Sequence, residues 1–474
     1  MPNTKQTLKM LAPIIVGLII ALIPTPPGLS PNAWYYFALF AAIITGIILE
    51  PLPNAAISLI GLTIAAVSGL VYTKPDDSIK WALSGFSDTV VWLIFLAFLF
   101  GLGYAKTGLG RRIALYLIKV LGKNSLGLGY SVSAIDLVLA PFMPSNTARS
   151  GGTVYPIVSN IPPIYGSTPE KGTERKIGSY IMWTAFAATC ITSSMFLTGL
   201  APNLLAASLA QKTANIQFDW LTWFLGFSVA GIVLFVLTPL LIYKLFPPEI
   251  KSSIEVSRWA SEELKKMGPV TTKEKVFLVF VVMALLLWIY GGSFINSTTV
   301  ALLVVALMLL FKILSWDDVL GYKSAWNTLV WFATLVSLAD GLSRVGFTGY
   351  IANALASSLK GVDPTTALIA MIAAFYWLHY LFASLTAHTT ALYPIFLKTL
   401  IQLGIPPALA AYSLAYTLGL MGIISPYATG PAPVYYGSGY IKGSDYWKLG
   451  LIFGIIYFIA YLALGLPILM LILK

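Results

Sequence analysis

Long runs of apolar residues dominate this chain and limit the folds that are open to it. One run extends from Leu449 to Leu473, and another extends from Val276 to Tyr290 and continues past Gly292. A run of about 18 apolar residues is long enough to cross the hydrocarbon core of a bilayer as a helix. Only 10% of the residues are charged, whereas a soluble domain has about 25%. The sequence therefore predicts an all-α, polytopic membrane protein.

Cysteine and histidine are too scarce to support common cofactor sites. The single cysteine, Cys190, excludes an intramolecular disulfide, and two histidines, His379 and His388, exclude a site with several histidine ligands. We therefore predict no metal ion and no cofactor. The net charge of +11 is explained by basic cytoplasmic loops of a membrane protein. Nucleic acid is not expected as a partner.

Proline, glycine and charged residues divide the apolar runs into about eleven predicted spans. We place them at residues 8–24, 33–49, 54–72, 88–105, 177–211 (broken), 219–246, 274–291, 296–314, 326–345, 405–437 (broken) and 446–473. Segments 125–166 and 364–402 contain central prolines and polar clusters, and each is predicted to form a re-entrant hairpin. If the N-terminus is cytoplasmic, most lysines and arginines fall on the cytoplasmic side. We expect a multi-pass protein of a bacterial plasma membrane.

Three pairs of segments indicate that the chain contains two related halves. Asp88–Gly110 resembles Asn327–Gly349, Ser145–Ile157 resembles Ser384–Ile395, and Thr198–Pro202 resembles Thr429–Pro433. The soluble segment 247–275 between the halves is predicted to contain a short helix and not to cross the membrane. The two halves would then enter the bilayer from opposite sides. Such an inverted repeat is typical of secondary transporters.

Polar residues interrupt the apolar helices at four places and mark a candidate site for a substrate. They are the hairpin tips Ser145-Asn146-Thr147 and Ser384-Leu385-Thr386, and two helix breaks, Thr198-Gly199 with Pro202-Asn203 and Ser425-Pro426 through Thr429-Gly430-Pro431. Irregular backbone is tolerated in a membrane only where protein or a water-filled cavity surrounds it. Each break begins a half-helix whose free N–H groups and dipole favour anions. We predict a site for a small molecule with two anionic ends.

A basic residue follows each tip at matching repeat positions, Arg149 after the first and His388 after the second. An arginine at the centre of a membrane helix costs at least about 2.5 kcal/mol on insertion scales, so such residues are usually functional. A bound dianion would offset this cost. The alternative for Arg149 is a structural ion pair with Asp136, and the alternative for His388 is a packed hydrogen-bond donor.

At these residues the chain resembles the divalent anion/sodium symporter family, whose members carry succinate, malate, oxoglutarate and citrate. The motifs "TAHTTALYP", starting at Thr386, and "SPYATGPAP", starting at Ser425, resemble the exchanger branch that includes the plastid oxoglutarate/malate translocators. The resemblance implies a homodimer that works by an elevator mechanism. It also implies that carboxylate contacts fall on the residues of the two tips, Ser145, Asn146, Thr147, Ser384 and Thr386.

The resemblance further implies that each protomer combines a scaffold with a moving transport domain. We assign residues 1–124 and 276–361 to the scaffold, and residues 125–246 and 362–474 to the transport domain. Residues 247–275 form the cytoplasmic linker between the two repeats.

One departure from the family pattern bears on ion coupling. Sodium-coupled members carry Ser-Asn-Thr at both tips, but Leu385 replaces the second asparagine here. We therefore predict a sodium-independent dicarboxylate antiporter in which Arg149 and His388 replace the charge of sodium. Moving this fixed charge without substrate is costly, which would make exchange obligatory.

Three other functions are alternatives to this predicted antiporter. The alternative of the same class is a sodium-coupled symporter for di- or tricarboxylates with the same fold. A channel is disfavoured because paired hairpins are typical of carriers. An enzyme is not expected, because neither Ser145 nor Ser384 lies in a Gly-x-Ser-x-Gly elbow or beside a catalytic lysine.

Overall fold

A computed structural model describes residues 4–252 and 254–473 and shows an all-helical protein. Within these residues, the one β-bridge is an isolated pairing of Asn124 with Ser252. The predicted all-α fold class is confirmed.

The first half and the linker contain thirteen helices within the described residues. They are α1 (Thr4–Leu22), α2 (Pro31–Leu49), α3 (Asn54–Ser68), α4 (Pro75–Ala82), α5 (Thr89–Thr107), α6 (Leu109–Leu121), α7 (Ser125–Leu139), α8 (Tyr155–Val158), α9 (Ile161–Ile164), α10 (Gly178–Met195), α11 (Ala201–Ala214), α12 (Trp220–Leu245) and α13 (Ile254–Met267).

The second half contains twelve helices within the described residues. They are α14 (Thr272–Tyr290), α15 (Ser297–Leu310), α16 (Trp316–Gly321), α17 (Lys323–Arg344), α18 (Phe347–Ser358), α19 (Pro364–Trp377), α20 (Leu385–Gln402), α21 (Pro407–Ala415), α22 (Thr417–Leu420), α23 (Ala432–Gly437), α24 (Gly443–Ala460) and α25 (Leu466–Ile472). Two stretches are π-helical, Thr147–Val154 and Tyr461–Gly465.

The apolar helices are long enough for a multi-pass membrane protein. Among the described residues, six helical segments can cross a bilayer by length and composition, or seven if the bent pair α17 and α18 is counted as one span. Shorter apolar helices of 10–17 residues accompany them. The prediction of an integral multi-pass protein is therefore confirmed.

The two hairpins have the same order of local structures. In the first, α7 is followed by a 3₁₀ turn (Ala140–Phe142), an extended residue and a new helix start near Thr147. In the second, α19 is followed by a 3₁₀ turn (Leu378–Leu381), an extended residue and the start of α20. The predicted breaks in 177–211 and 405–437 are also present, between α10 and α11 and between α22 and α23. This order supports the predicted internal repeat.

The sequence did not predict two amphipathic helices, α6 and α18. Each begins directly after a glycine with positive φ, Gly108 at 80° and Gly346 at 91°. Because L-residues rarely adopt this conformation, glycine permits the sharp change of direction at both places. The bend between α17 and α18 is 63°.

The chain forms two compact units, and each draws segments from both halves. Unit 1 consists of the chain up to Phe95, Leu204–Phe218 and Lys323–Ala415. Unit 2 consists of Leu96–Asn203, Asp219–Tyr322 and the chain from Tyr416 onward. The division into scaffold and transport domains is a functional one and stays a prediction.

Each unit has a tightly packed interior. In unit 1, the Tyr36 hydroxyl donates to the carbonyl of Leu338 at 2.8 Å within an apolar cluster that also contains Trp81. In unit 2, every residue of α10 is buried. A helix buried on all sides must place its polar groups where hydrogen-bond partners exist. The threonines and serines of α10 are therefore important for the site below.

Helix α13 packs on α6 in unit 2. Arg111 forms an ion pair with Glu263 at 2.8 Å, and Ser257 Oγ donates to the carbonyl of Lys119 at 2.7 Å. The hydrogen bond from Lys266 lowers the pKa of Glu263 below its usual range. The helix predicted in the linker is thus present at Ile254–Met267.

Candidate functional site

The first hairpin tip begins a new helix with a serine cap. Pro141 and Pro144 prevent α7 from continuing, and the chain turns at Ser145. Ser145 Oγ accepts from the Ala148 N–H at 3.1 Å. This bond is the usual N-cap arrangement, in which a side-chain oxygen satisfies a free N–H of the first turn. Ser145 is half-buried and Thr147 is exposed, so both can be reached from outside the packed core.

The second tip, in unit 1, has the same local geometry. Ser384 Oγ accepts from the Ala387 N–H at 3.4 Å, and the Ser384 carbonyl accepts from the His388 N–H at 3.0 Å. The matching carbonyl bond of the first tip, from Arg149 N–H to Ser145, is 2.8 Å long. Thr386 is buried behind the half-buried Ser384. Both tips therefore present a serine-capped helix start.

The break between α10 and α11 is fixed from both sides by side-chain hydrogen bonds. Thr198 Oγ1 donates to the carbonyl of Pro141 at 2.5 Å. Asn203 Nδ2 donates to the carbonyls of Ser193 and Phe196 at 2.7 and 3.2 Å. Pro202 lies in the first turn of α11, where its missing N–H removes no helical hydrogen bond. These bonds replace the main-chain pairs that the break removes.

The break before α23 lies against the first tip. Asn146 Nδ2 donates to Thr429 Oγ1 at 2.8 Å. A Cβ added at Gly430 would lie 1.8 Å from Thr147 Oγ1, so the tip packs directly on the glycine. Pro431 precedes the first residue of α23. The structure thus brings together three of the four predicted motifs within unit 2.

Arg149 lies beneath the tip and is completely buried. Its Nε donates to Asp136 Oδ2 at 3.1 Å, and its Nη1 donates to the carbonyls of Met143 and Gly199 at 2.7 and 2.6 Å. Its Nη2 donates to three hydroxyls on α10, those of Thr189, Thr192 and Ser193. Every guanidinium nitrogen therefore donates to the protein, and the pair with Asp136, the alternative raised by the sequence, is present.

The surroundings of His388 differ sharply from those of Arg149. His388 is buried, and its ring packs at 4.5–5.0 Å between centroids against Phe375, His379 and Phe382. Among the residues that the structure describes, neither ring nitrogen of His388 has a hydrogen-bond partner. An imidazole in such a cage lacks the carboxylate that would favour its charged form.

Apart from Asp136, sequence reasoning did not find the acceptors that hold Arg149. The run Thr192-Ser193-Ser194 in an otherwise apolar helix was the available signal. Thr192 also donates to Asp136 Oδ2, so the pair belongs to a network rather than standing alone. A second missed contact is the hydrogen bond between the hydroxyls of Ser150 and Tyr435, which are 2.9 Å apart.

Groups of three or more histidine, cysteine, aspartate or glutamate residues that could hold a metal ion are absent from the described residues.

Comparison with known sequences gives close matches over nearly the whole chain. Residues 4–473 match the family described as the sodium:sulfate symporter transmembrane region. A citrate/succinate antiporter of Escherichia coli K12 is 46% identical over 474 residues, with 97% of each chain covered. An L-tartrate/succinate antiporter of Shigella sonnei is 47% identical over 471 residues, again with 97% of each chain covered.

Two solved transporters share the fold at low sequence identity. The YdaH transporter of Alcanivorax borkumensis has a TM-score of 0.57 and 14% identity, covering 82% of this chain and 88% of that one. MtrF of Neisseria gonorrhoeae has a TM-score of 0.57 and 15% identity, covering 98% of this chain and 95% of that one. Similarity at this level describes architecture alone.

Proposed function

The chain belongs to the divalent anion/sodium symporter family, and from this premise we propose that it is a membrane antiporter that exchanges dicarboxylates. The two antiporters named above, at 46% and 47% identity, have succinate in common. We therefore propose succinate as one exchanged substrate and a second di- or tricarboxylate as the other.

The observation that carries the proposal is the serine-capped helix start at each hairpin tip. In each, a serine hydroxyl and the first N–H groups of a half-helix meet at a half-buried position. Carboxylates bind well at helix N-termini because N–H groups point at them and the dipole favours negative charge. We propose that Ser145, Asn146 and Thr147 bind one carboxylate and that Ser384 and Thr386 bind the other.

The helix breaks support the first tip in this proposal. On one side, Thr198 donates to the carbonyl of Pro141, and Asn203 and Pro202 shape the break that carries Thr198 and Gly199. On the other side, Thr429 accepts from Asn146 Nδ2 and Gly430 packs closely on Thr147, with Pro431 next in the chain. We propose that all seven residues of these two helix breaks belong to the substrate site.

Arg149 acts in this proposal as a positioning residue. Its donors are all occupied, two of them by the carbonyls of Met143 and Gly199, which flank the tip and the α10–α11 break. Lysine keeps the charge but cannot reproduce the planar fork of donors. We expect Arg149→Lys to raise the apparent KM for succinate with a smaller change in maximal rate, whereas Lys265→Ala leaves both unchanged. Equal effects of Arg149→Lys and Lys265→Ala on KM and maximal rate would show that Arg149 does not position the site.

His388 is proposed to supply positive charge when the dianion is bound. Neither ring nitrogen has a hydrogen-bond partner in the part of the chain that the structure describes, so the unprotonated nitrogen can accept a proton, and a bound anion would stabilise the charged ring. Exchange of a fully ionised disulfonate analogue should strengthen as the pH falls, and His388→Gln should abolish this dependence. An identical pH profile in wild type and His388→Gln would refute the role.

The family assignment also motivates a proposal for the assembly and its motion. We propose a homodimer with a cytoplasmic N-terminus, in which residues 125–246 and 362–474 move as the transport domain of an elevator. Both claims can be tested with single-cysteine variants made after Cys190 is replaced by serine. Labelling these variants from either side of the membrane tests the orientation of the N-terminus, and crosslinking between protomers tests dimerisation.

Counterflow in proteoliposomes tests the proposed exchange directly. Labelled succinate should enter vesicles loaded with unlabelled succinate, citrate or tartrate, and should not enter empty vesicles. Replacement of sodium by choline should leave the rate unchanged. Uptake into empty vesicles that follows a sodium gradient would instead support the sodium-coupled symporter.

Alanine substitutions at the tips test where exchange takes place. Ser145→Ala and Ser384→Ala each remove one proposed carboxylate contact and should weaken succinate binding by about tenfold, as loss of a hydrogen bond to a charged group does. Ser358→Ala, at an exposed helix end in the second half, is the matched control. Unchanged exchange in both tip variants would contradict the site.

A further inference from the structure

A basic cavity lies within unit 2. It has a volume of about 620 Å³, lies where α5 ends, α14 begins and α15 turns into α16, and has no residue of the hairpin tips in its lining. Three lysines line it, Lys106, Lys273 and Lys312, together with Trp316 and Asp318. The proposed transport function uses none of these residues.

The charges of this cavity do not cancel. Lys106 Nζ lies 2.6 Å from Asp318 Oδ1, and this contact lowers the pKa of Asp318 to about 2. Lys273 and Lys312 form no ion pair among the described residues. Asp317, the other carboxylate of α16, is not among the lining residues. The cavity therefore keeps about two uncompensated positive charges.

The backbone places Lys312 at an unusual position. Its φ is 54°, in the left-handed region that favours glycine. The N–H groups of Ile313 and Leu314 both donate to the carbonyl of Met308, which closes the end of α15 around this residue. This strained backbone position places the charge of Lys312 in the lining of the cavity.

Exposed apolar side chains lie in the chain segments that form the cavity, on Trp316 of the lining and on residues next to the lining in sequence. Leu310 is 74% exposed, Trp316 is 60% exposed, and Phe311 and Leu320 are also exposed. Tryptophan is enriched at the headgroup level of membranes, with apolar residues on its hydrocarbon side. Lys273 lies in segment 247–275, which the sequence predicts to be cytoplasmic, and Lys106 and Lys312 line the same cavity. Charge and apolar surface are thus adjacent at a membrane interface.

We propose that this cavity binds the headgroup of an anionic phospholipid, with a preference for a headgroup that carries two phosphates. Lys273 and Lys312 pair with the phosphates, and the acyl chains cover Leu310 and Phe311. Basic pockets between membrane helices are suited to such headgroups. A soluble dianion matches the charge but leaves these apolar residues uncovered, so the lipid is the better occupant.

Native mass spectrometry of the purified full-length protein tests the proposal. The protein is mixed with cardiolipin, phosphatidylglycerol or phosphatidylcholine, and the number of retained lipids is measured over a concentration series. We expect tightest retention of cardiolipin. The double variant Lys273→Gln/Lys312→Gln should bind it about 30-fold more weakly, because each lysine near anionic lipid strengthens binding severalfold. The control Lys123→Gln/Lys265→Gln removes two exposed lysines outside the cavity and should bind as the wild type does.

Lys312→Gly removes both the lysine charge and the backbone strain, and these two losses have opposite expected effects on lipid binding and on stability. Glycine relieves the left-handed conformation, so this variant should melt at a higher temperature in lipid-free detergent while retaining less cardiolipin. Equal cardiolipin retention in wild type, Lys312→Gly and the cavity double variant would overturn the proposal. An equal loss of cardiolipin binding in the control Lys123→Gln/Lys265→Gln would also overturn it, because the loss would then reflect total charge and not the cavity.

Competition distinguishes a lipid from a soluble anion. Inorganic phosphate and succinate, each at millimolar concentration, should fail to displace cardiolipin from the wild type. If either anion displaces cardiolipin from the wild type but leaves the remaining cardiolipin on the double variant Lys273→Gln/Lys312→Gln unchanged, the cavity binds a soluble anion. That result would overturn the lipid assignment.

Discussion

Buried charge at Arg149 is balanced by one carboxylate and several neutral acceptors. The ion pair with Asp136 is fully enclosed, and two carbonyls and three hydroxyls accept the remaining donors. Ion pairs of this kind gain little net energy, but removing one partner leaves an uncompensated charge in the interior. The pair therefore specifies the path of the chain around the tip more than it adds stability.

A double-mutant cycle measures this coupling. Asp136→Leu and Arg149→Met should each lower stability by about 3–5 kcal/mol, because each leaves one charge buried alone. The double variant should be more stable than either single variant, although exchange activity stays low. Thermal unfolding in detergent is the measurement. Additive losses in the double variant would show that the two residues are not coupled.

Gly430 tests the contact between the first tip and the break before α23. In Gly430→Ala the new Cβ would lie 1.8 Å from Thr147 Oγ1, and overpacking of this kind costs about 1–3 kcal/mol. We expect weaker succinate binding in exchange assays, with partial recovery in Gly430→Ala/Thr147→Ala. Gly437→Ala is the control, since nothing lies within 4 Å of its Cβ position. Normal binding in Gly430→Ala would contradict the close contact.

Among the elements, the helix starts define where the chain can change direction. Serine caps begin the helices after both tips, and glycines with positive φ begin α6 and α18. The cap after one tip matches the cap after the other, and Gly108 matches Gly346, so the repeat is visible in local backbone geometry as well as in sequence. The two glycines constrain direction strongly because few other residues adopt a positive φ.

At the bend between α17 and α18, the effect of replacing Gly346 on stability should come from its backbone conformation and not from side-chain packing. Gly346 has a φ of 91° and has nothing within 4 Å of its Cβ position. Gly346→Ala should therefore lose about 1–2 kcal/mol from left-handed strain. Gly321→Ala has equally open space without positive φ and should be neutral or slightly stabilising. Unfolding temperatures measured side by side test this, and equal values would exclude strain as the cause.

Over the whole molecule, both compact units combine segments from the two sequence halves. Unit 2 contains the first tip and both helix breaks, and unit 1 contains the second tip. A dicarboxylate that binds the folded protein stabilises it according to its concentration relative to Kd.

Ligand-dependent unfolding therefore tests binding without transport. At about a hundredfold excess over Kd, succinate should stabilise the protein by about 2.7 kcal/mol and raise Tm in choline buffer free of sodium. Monocarboxylates such as acetate provide the control. If succinate raised Tm only in the presence of sodium, the sodium-independent mechanism would be wrong.

Much of the candidate site could be predicted because its signals are local. Proline and polar residues inside apolar runs indicate breaks without knowledge of packing, and these breaks occur at both hairpins and in both interrupted spans. Helices α6 and α18 were missed because amphipathic helices next to long spans lack an equally strong apolar signal.

The sequence by itself determined the all-helical membrane fold, the repeat and the positions of the serine-capped tips. In a membrane, backbone polar groups must be satisfied within the segment, so hydrophobicity and helix breakers largely decide where helices form. Only the tertiary structure decided what surrounds the two basic residues. The partners of a buried side chain come from several segments of the chain: six acceptors surround Arg149, whereas aromatic rings pack against His388.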